Sequence, residues 1–391
     1  MRSMDNKKVL PLLFLVMFLV MVGFGIIIPV LPFLAEKVGG TPTQLGLLMA
    51  VYSLMQLFFA PVWGRISDRI GRKPVMVIGI FGLAVSFFIM AAADSLWVMF
   101  VARIIGGILS SANMPTTMAY VADITTEEDR GKGMGIIGAA TGLGFIFGPA
   151  IGGVLSKSSL NTPFLVAGIL STLTFLLVLI ILKESLPEEK RGTQTSGNGS
   201  MWRNFTGTFS VLFILQCVVS LSMAGLEATF AYFAAKKAGI DTVQLGYIFM
   251  VMGLGSAIVQ GGLMGVMTKK WGEGRVIQIG LIVSVIGFIL ILFTNSFWTA
   301  TIFLTIFGLG NGVIRPALTA LLTKTSTGGH GGATGLLSSF DSMGRIIGPP
   351  LGGLLYSAAV GLPYISGAIL SIGALLLYQV YHSKLRKPQA L

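Results

Sequence analysis

Residues 144–153 read GFIFGPAIGG and residues 344–353 read GRIIGPPLGG, with four glycines and a proline in the same register. The same offset of 200 positions relates Gln-Leu-Gly at 44–46 to Gln-Leu-Gly at 244–246. One short match would arise by chance, but several matches in register over this length would not. The second half of the chain therefore repeats the first, and we expect a fold built from two copies of one repeat.

The composition is that of an integral membrane protein. Hydrophobic residues make up 54% of the 391 positions and charged residues 11%, whereas soluble domains carry about 25% charged residues. Apolar runs of about 20 residues, each long enough to cross the hydrocarbon core, recur along the whole chain. Twelve spans are predicted, at approximately 8–35, 43–64, 75–93, 96–121, 132–156, 162–182, 207–235, 243–267, 275–294, 297–322, 332–357 and 362–382.

The number of spans in each repeat predicts how the copies are oriented. Each copy holds six spans, an even number, so both copies have the same orientation in the membrane. Parallel repeats related by a pseudo-twofold axis along the membrane normal describe the two halves of a major facilitator transporter. We therefore expect an all-helical membrane protein with one six-helix bundle at 1–183 and another at 206–391. The segment between them, 184–205, is rich in Gly, Ser and charge and is predicted to be a flexible cytoplasmic linker.

The distribution of basic residues predicts the orientation and argues against nucleic acid as a partner. The formal net charge is +12, but Lys and Arg concentrate in alternate loops, including 65–73, 183–203 and 269–275. This is the positive-inside pattern of a multi-pass protein in the cytoplasmic membrane, and it predicts that both termini are cytoplasmic. The single cysteine, Cys217, lies inside a span, so we expect no disulfide framework.

The loop between spans 2 and 3 reads GRISDRIGRKP at 64–74. An ordinary basic loop is one interpretation, but the spacing resembles the signature loop of the major facilitator superfamily. The resemblance implies that this loop holds the two halves together on the cytoplasmic side in the outward-facing state. Asp68 would then face the start of span 11, and Arg72 would pair with Asp123 at the end of span 4. The residues assigned to this gate are Gly64, Asp68, Arg69, Gly71, Arg72 and Asp123. The matching segment of the second half, 267–272, keeps basic residues and lacks the aspartate, so an asymmetric gate is expected.

Span 5 carries a second motif that favours export over uptake. Its glycines at spacings of four let helices approach closely, and its proline removes a backbone hydrogen bond and is expected to kink the span. Helix packing alone would explain the glycines. Together with the Gly-Pro pair they resemble the antiporter motif of proton-coupled drug exporters. The motif residues are Gly144, Gly148, Pro149, Gly152 and Gly153.

A carboxylate inside span 7 is the first candidate for a functional group. Glu227 lies in the middle of the apolar stretch 211–235, where a charge costs roughly 3 kcal/mol on insertion scales. A low dielectric disfavours the charged form of a carboxyl group, so Glu227 is expected to hold a proton and release it during transport. Met223, Phe230 and Ala231 share its helix face, and a thioether and an aromatic ring beside a carboxylate suit a flat lipophilic cation. The alternative for Met223 and Phe230 is contact with lipid or with another helix.

Three arginines and a second acid also lie inside spans. Arg103 resembles the span-4 arginine that drug:proton antiporters use near the proton path, although an arginine reaching toward an interface would give the same pattern. Arg315 lies in an Ile-Arg-Pro that Gram-positive multidrug exporters of the quinolone type share, and several of those place an acid where this chain has Gly312. Asp341 and Arg345, four residues apart on one helix face, form either a self-neutralised structural pair or a replacement for that missing carboxylate. Glu227, Asp341, Arg103 and Arg315 are the predicted proton-coupling residues.

Further side chains are candidates for the wall of a drug-binding cavity. Two prolines three positions apart, at 29 and 32, are expected to bend span 1 so that it lines the cavity. Arg315 and Asp341 are also assigned to substrate binding, as are Met223, Glu227 and Phe230. The remaining candidates come from six spans and are Phe24, Ile28, Gln56, Phe59, Met114, Phe145, Asn311 and Phe340.

These residues predict a transporter and not an enzyme. The sequence contains no glycine-rich nucleotide-binding loop, no His/Cys metal cluster and only two histidines. The resemblance implies a proton-coupled multidrug exporter of lipophilic, mostly cationic compounds that works as a monomer by alternating access. Its energy source would be the proton gradient, with no cofactor and with protons, small-molecule drugs and lipid as partners. The alternatives are a narrow exporter of one antibiotic, sugar or metabolite, and a membrane sensor built on a transporter fold.

Overall fold

The computed structural model describes residues 6–192, 210–325 and 330–386. Within these ranges all regular structure is helical, as predicted. Most of the predicted linker, from position 193 onward, and both extreme termini lie outside the described residues. The α-helices are α1 Asn6–Ile27, α2 Leu31–Lys37, α3 Pro42–Ile70, α4 Arg72–Ala91, α5 Leu96–Ser110, α6 Asn113–Ile124, α7 Glu127–Leu155, α8 Thr162–Ile181, α9 Ser210–Ala238, α10 Thr242–Ile258, α11 Met264–Ile291, α12 Phe297–Thr325, α13 His330–Ala358 and α14 Leu362–Arg386.

The twelve predicted spans can be traced through these helices. Ten stretches of the described chain are long and apolar enough to cross a membrane. One of them, Thr242–Ile291, is two spans, because Gly272 has a non-helical backbone with φ of 78° and separates them. The twelfth span is α13, a 29-residue helix that contains Asp341 and Arg345.

Two spans are interrupted near prolines. Span 1 ends as a regular helix at Ile27 and resumes at Leu31, which confirms the predicted bend beside Pro29 and Pro32. Span 4 is broken between α5 and α6, an interruption that was not predicted. Its cause is visible in the sequence, because Pro115 cannot donate to the carbonyl of Ser111 and its ring would clash with that group. Span 5, in contrast, continues as one helix through Pro149 to Leu155.

The described residues form two compact units. The first contains α1, α2, α4–α8, most of α3, and residues Leu245–Met250 of α10. The second contains α9, the rest of α10, α11–α14, and the segment Thr41–Ala50 at the start of α3. The predicted bundles at 1–183 and 206–391 differ from these units in two short segments, Thr41–Ala50 and Leu245–Met250, which we call the exchanged segments because each belongs to the unit of the other half. The division into two bundles stays a prediction.

Glycine contacts explain why the repeated motifs lie where they do. In the first unit α1 packs along α7, and a Cβ on Gly148 would lie 2.6 Å from the Cα of Gly25. In the second unit α9 packs along α13, and a Cβ on Gly352 would lie 2.8 Å from the Cα of Gly225. Real Cβ atoms are not found so close to a backbone atom, so these helix pairs require glycine. The structure thus assigns the glycines of span 5 a packing role, and their role in the direction of transport stays a prediction.

The exchanged segments use the same motifs. Within the second unit, a Cβ on Gly46 would lie 2.2 Å from the carbonyl oxygen of Pro349. Within the first unit, a Cβ on Gly246 would lie 2.4 Å from the carbonyl oxygen of Pro149. The Gln-Leu-Gly and Gly-Pro repeats are therefore contact partners, which accounts for their joint recurrence in the sequence.

Candidate functional site

A cluster of charged and polar side chains lies in the second unit, between α9, α12 and α13. Its centre is Asp341, whose side chain is only 10% exposed. One carboxylate oxygen, Oδ1, accepts hydrogen bonds from Ser220 Oγ and from Gln216 Nε2, the latter at 2.9 Å. Both donors lie on α9, four residues apart, so a single helix face holds this oxygen.

The other oxygen of Asp341 is shared by two arginines. Arg345 Nε lies 3.4 Å from Oδ2, which confirms the predicted pair on α13. Arg315 Nη1, from α12, lies 3.3 Å from the same Oδ2, a contact that the sequence did not reveal. The side chains of Arg315 and Arg345 are 51% and 46% exposed, so both guanidinium groups remain accessible while the carboxylate between them is buried.

Glu227 lies on α9, two turns beyond Ser220, and is half-buried. Its charge interacts with those of Arg345 and Asp341. Within the described ranges, however, its carboxylate accepts no hydrogen bond and has no basic nitrogen within 4.0 Å. Glu227 is therefore the carboxylate of this unit that is left without a fixed donor.

The neighbours predicted for Glu227 differ in accessibility. Met223 is half-buried, whereas Phe230 and Ala231 are buried in the unit. Phe340 is half-buried and its ring stacks on that of Phe213 at 5.8 Å between centroids. A buried ring reaches a ligand only if its surroundings move, so the drug-binding role assigned to Phe230 stays a prediction.

The first unit brings three predicted residues together around Tyr52, which the sequence did not single out. The Arg103 guanidinium lies 5.4 Å from the centre of the Tyr52 ring, within range of a cation–π contact. Gln56 Nε2 donates to the Tyr52 hydroxyl at 3.2 Å, and the ring of Phe24 packs edge-on against Tyr52 at 5.7 Å. Arg103 Nε is buried and has no hydrogen-bond partner in the described part of the chain. Arg103 therefore has an aromatic partner in place of an acidic one.

The other cavity candidates are spread over both units, and their roles stay predictions. Ile28 and Phe59 are half-buried, and Met114 and Phe145 are exposed, all in the first unit. Asn311 is half-buried in the second unit.

The gate residues of the first unit form a network around a buried arginine. Arg72 is 3% exposed at the start of α4, and its Nη1 donates to Asp68 Oδ1 at 2.5 Å and to Ser67 Oγ at 2.8 Å. Its Nε donates to Asp123 Oδ2 at 3.0 Å, which confirms the predicted pair. Arg69 is exposed. The approach of Asp68 to span 11 stays a prediction.

A further acid completes this network. Glu184 accepts hydrogen bonds from the backbone N–H groups of Arg72 at 2.8 Å and Lys73 at 3.1 Å, at the amino terminus of α4, where a negative charge is favourable. Gly71 precedes α4 with φ of 111°, and a Cβ there would lie 2.4 Å from Glu184 Oε2. Only glycine fits this position. Glu184, the first residue of the predicted linker, is thus bound to α4, more than 100 positions away in the sequence. The flexible linker itself stays a prediction.

The second unit contains a counterpart of this network with inverted charges. Gly272, with φ of 78°, corresponds to Gly71 at an offset of 201 positions, one more than the offset of the motifs above, and the next residue is Glu273 where the first unit has Arg72. Glu273 is bound to Lys324, which stands at the position of Asp123. The predicted asymmetry is therefore larger than the loss of one aspartate, because both members of the pair have changed sign.

Known proteins share this architecture. The model of the Major Facilitator Superfamily matches residues 13–263 and 212–390. A solved structure of the nucleoside transporter NupG, in a mutant form, superposes with a TM-score of 0.83 over 96% of this chain and 100% of that chain, at 13% identity. At this identity the likeness concerns the fold alone.

Relatives match over nearly the whole length. Multidrug resistance protein 2 of Bacillus subtilis is 30% identical over 393 aligned positions, which cover 99% of this chain and 98% of that protein. Quinolone resistance protein NorA of Staphylococcus aureus is 29% identical, over 98% of this chain and 99% of its own length. The repeat, the membrane helices and these matches all lead to one conclusion: the chain belongs to the Major Facilitator Superfamily.

Proposed function

We propose that this protein exports lipophilic, mostly cationic drugs in exchange for protons, by alternating access. The observation that carries the proposal is Glu227, a half-buried carboxylate inside a span that has no fixed donor in the described ranges. The names of the relatives, a multidrug resistance protein and a quinolone resistance protein, support drugs as the class of cargo.

The two carboxylates of the second unit are suited to different tasks. Asp341 is bonded to Gln216, Ser220 and two arginines, so adding a proton to it would weaken several interactions at once. Protonation of Glu227 breaks no hydrogen bond of this kind. A cation can also approach Glu227 without displacing an arginine. Glu227 is therefore the residue that exchanges its proton for drug, and Asp341 is the residue that positions the arginines.

The transport cycle follows from competition for one carboxylate. A cationic drug entering from the cytoplasm or the inner leaflet displaces the proton of Glu227 and is carried outward. On the outside the drug leaves, Glu227 takes up a proton, and the neutral carboxyl group permits the return. Moving one charge across 100 mV is worth about 2.3 kcal/mol, so a proton-motive force of about 180 mV supplies about 4 kcal/mol. Since about 1.4 kcal/mol corresponds to a factor of ten, one proton can sustain roughly a thousandfold gradient of a neutral drug. Exchange of one proton for one monovalent cation moves no net charge, so the gradient of a cationic drug is driven by the pH difference alone.

We infer the cellular location and the orientation of the protein from its sequence. We place the protein in the cytoplasmic membrane as a monomer with both termini in the cytoplasm, as the positive-inside pattern predicts. The proton gradient is the energy source.

The proposal is tested in liposomes that contain the purified protein and are acidic inside. Wild-type protein should accumulate ethidium, a fluorescent cation, only while the pH gradient lasts. Glu227→Gln should abolish this accumulation, because an amide neither releases a proton nor attracts a cation as a charge. The control is Glu36→Gln, which neutralises an exposed acid at the end of α2 and should leave accumulation unchanged.

Two results would contradict the proposal. Gradient-driven ethidium accumulation by Glu227→Gln at the wild-type rate would remove Glu227 from the coupling mechanism. Failure of wild-type protein to move any lipophilic cation would favour the narrow exporter, with neutral metabolites and sugars as the next cargo to test.

A further inference from the structure

The loop between spans 8 and 9 carries positive charge that the proposed transport cycle does not use. The offset of 201 positions that relates Gly272 to Gly71 also relates the charges around them. Each charge of the first network has a counterpart of opposite sign: Lys269 for Asp68, Glu273 for Arg72 and Lys324 for Asp123. The inversion therefore places two lysines in the second unit where the first unit has acids.

Most of this positive charge is not balanced by the protein. Segment 265–275 and Lys324 together carry four cations and one acid, a surplus of three positive charges. The acid, Glu273, is bound to Lys324. Within the described ranges, no ion pair is formed by the three remaining cations, all exposed: Lys269, Lys270 and Arg275.

The corresponding part of the first unit is nearly neutral. It has a surplus of one, because its four cations face three acids: Arg65, Arg69, Arg72 and Lys73 against Asp68, Asp123 and Glu184. No acid takes the place of Glu184 in the second half, since positions 384 and 385 are lysine and leucine. The surplus of three is therefore a property of the second unit and not of the repeat.

An indole ring lies beside the lysines. Trp271 is 40% exposed, and Lys270 Nζ lies 5.8 Å from the centre of its ring, within range of a cation–π contact. Tryptophan is enriched at the level of the lipid headgroups, because its ring is apolar and its N–H donates a hydrogen bond. We call Lys269, Lys270, Trp271 and Arg275 the basic corner, and the positive-inside pattern predicts that it lies at the cytoplasmic surface of the membrane.

Exposed apolar side chains continue from the basic corner into span 8. Leu263 and Val266 are 50% and 61% exposed. Leu263, Val266 and Lys270 follow one another at spacings of three and four, so their side chains share one helix face. This face is therefore positively charged at one end and apolar beyond it.

These two chemistries together indicate the ligand. Lysine and arginine both donate hydrogen bonds to phosphate oxygens, lysine as a compact charge and arginine through a planar fork. Clusters of cations beside a membrane span attract the anionic lipids of the cytoplasmic leaflet. A phospholipid also brings acyl chains to the apolar residues, which a soluble anion or an acidic protein surface does not.

We propose that the basic corner is a binding site for an anionic phospholipid of the cytoplasmic leaflet. The lipid phosphate lies against Lys269 and Lys270, and an acyl chain follows Leu263 and Val266. The inference depends on the predicted orientation of the protein, and not on the proposed cargo or on proton exchange.

The test compares two lipids that differ in the charge of the headgroup. Dioleoyl phosphatidylglycerol is anionic, whereas dioleoyl phosphatidylcholine has no net charge. The dissociation constant of each is measured by native mass spectrometry on the purified full-length protein in detergent. One lysine near an anionic headgroup strengthens binding about fivefold, so wild-type protein should bind phosphatidylglycerol at least ten times more tightly than phosphatidylcholine. Equal affinities for the two lipids would overturn the proposal.

Variants then assign the preference to residues. The double variant Lys269→Gln/Lys270→Gln should weaken phosphatidylglycerol binding at least tenfold and leave phosphatidylcholine binding within a factor of two, which also shows that the variant is folded. The matched control is Arg65→Gln/Lys132→Gln, which removes two exposed cations elsewhere on the predicted cytoplasmic side. The control should change neither affinity more than twofold. An equal loss of phosphatidylglycerol binding in both double variants would show a diffuse effect of net charge and overturn the site.

Two further measurements separate a lipid from other anions. Val266→Ser removes apolar surface and no charge, so it should weaken the binding of both lipids to the same extent, and unchanged affinities would remove the acyl chain from this face. Displacement of phosphatidylglycerol by millimolar inorganic phosphate would identify a soluble anion as the ligand and overturn the lipid. No drug and no pH gradient enter these measurements, so a failure of cation export in liposomes would leave the lipid site unaffected.

Discussion

Replacement of Arg72 by glutamine tests whether a buried charged network stabilises the start of span 3 more than an ion pair open to solvent would. The wild-type guanidinium is 3% exposed and donates to Asp68 at 2.5 Å and to Asp123 at 3.0 Å. The second unit offers a matched control, Glu273→Gln, because Glu273 occupies the corresponding position with the opposite charge. The Glu273 side chain is only 13% exposed, but its partner Lys324 is 66% exposed, so one member of that pair is open to solvent.

The expected magnitudes differ because the surroundings differ. Hydrogen bonds to charged groups contribute about 1.5 kcal/mol or more each, so the loss of the two to Asp68 and Asp123 alone should cost about 3 kcal/mol. Lys324 can return to water when Glu273 is neutralised, so Glu273→Gln should cost little more than the loss of an exposed ion pair, about 0.2–1 kcal/mol. For a unit of this size 1 kcal/mol shifts the melting temperature by roughly 2–4 °C, so Arg72→Gln should lower it by roughly 6–12 °C.

The assay is the apparent melting temperature of each purified variant in one detergent, at one scan rate. Ethidium transport is recorded on the same preparations. Equal melting temperatures for Arg72→Gln and Glu273→Gln would refute the reasoning, since burial would then not distinguish the two networks. A larger loss for Glu273→Gln would show that the counterpart of the gate in the second unit is the stronger contact.

Three further predictions concern the gate, the charged cluster and the helix packing. Asp68→Asn should slow ethidium transport at least tenfold with little change in equilibrium drug binding, and a wild-type transport rate would remove Asp68 from the gate. Exchanging the residues at Asp341 and Arg345 should abolish transport, because an arginine would then face Gln216 and Ser220; retained transport in correctly folded protein would identify a self-neutralised pair. Gly152→Ala should lower the melting temperature, because its Cβ would lie 2.0 Å from a carbonyl oxygen of α1. Gly142→Ala, in open space on the same helix, should not.

Much of the architecture could be predicted because it depends on local rules. Membrane helices follow from runs of apolar residues, and the bend in span 1 follows from two prolines that cannot donate hydrogen bonds. The pair of Asp341 and Arg345 was predictable because residues four apart share a helix face. The pair of Arg72 and Asp123 was predictable only through the resemblance to a family, because 51 positions separate its members.

The parts that were missed involve side chains from different helices. Arg315 contacts Asp341 from α12, while Gln216 and Ser220 reach it from α9. Polar residues at a spacing of four on an apolar span were a signal for Gln216 and Ser220, but that signal does not name their partner. Glu184 was assigned to a linker because its partners are backbone N–H groups, which leave no mark in the sequence.

The sequence by itself determined the membrane location, the helices, the repeat and the family. The hydrophobicity of a side chain and the backbone properties of proline and glycine do not depend on which residues surround them in the fold. Only the tertiary structure decided which carboxylate of the second unit is bonded and which is not. Asp341 and Glu227 are both acids within apolar spans, and nothing local distinguishes them. The rotation and packing of α9, α12 and α13 place four donors on Asp341 and no hydrogen-bond donor on Glu227 in the described chain. In the mechanism that we propose, those distances make Asp341 the positioning residue and Glu227 the proton carrier.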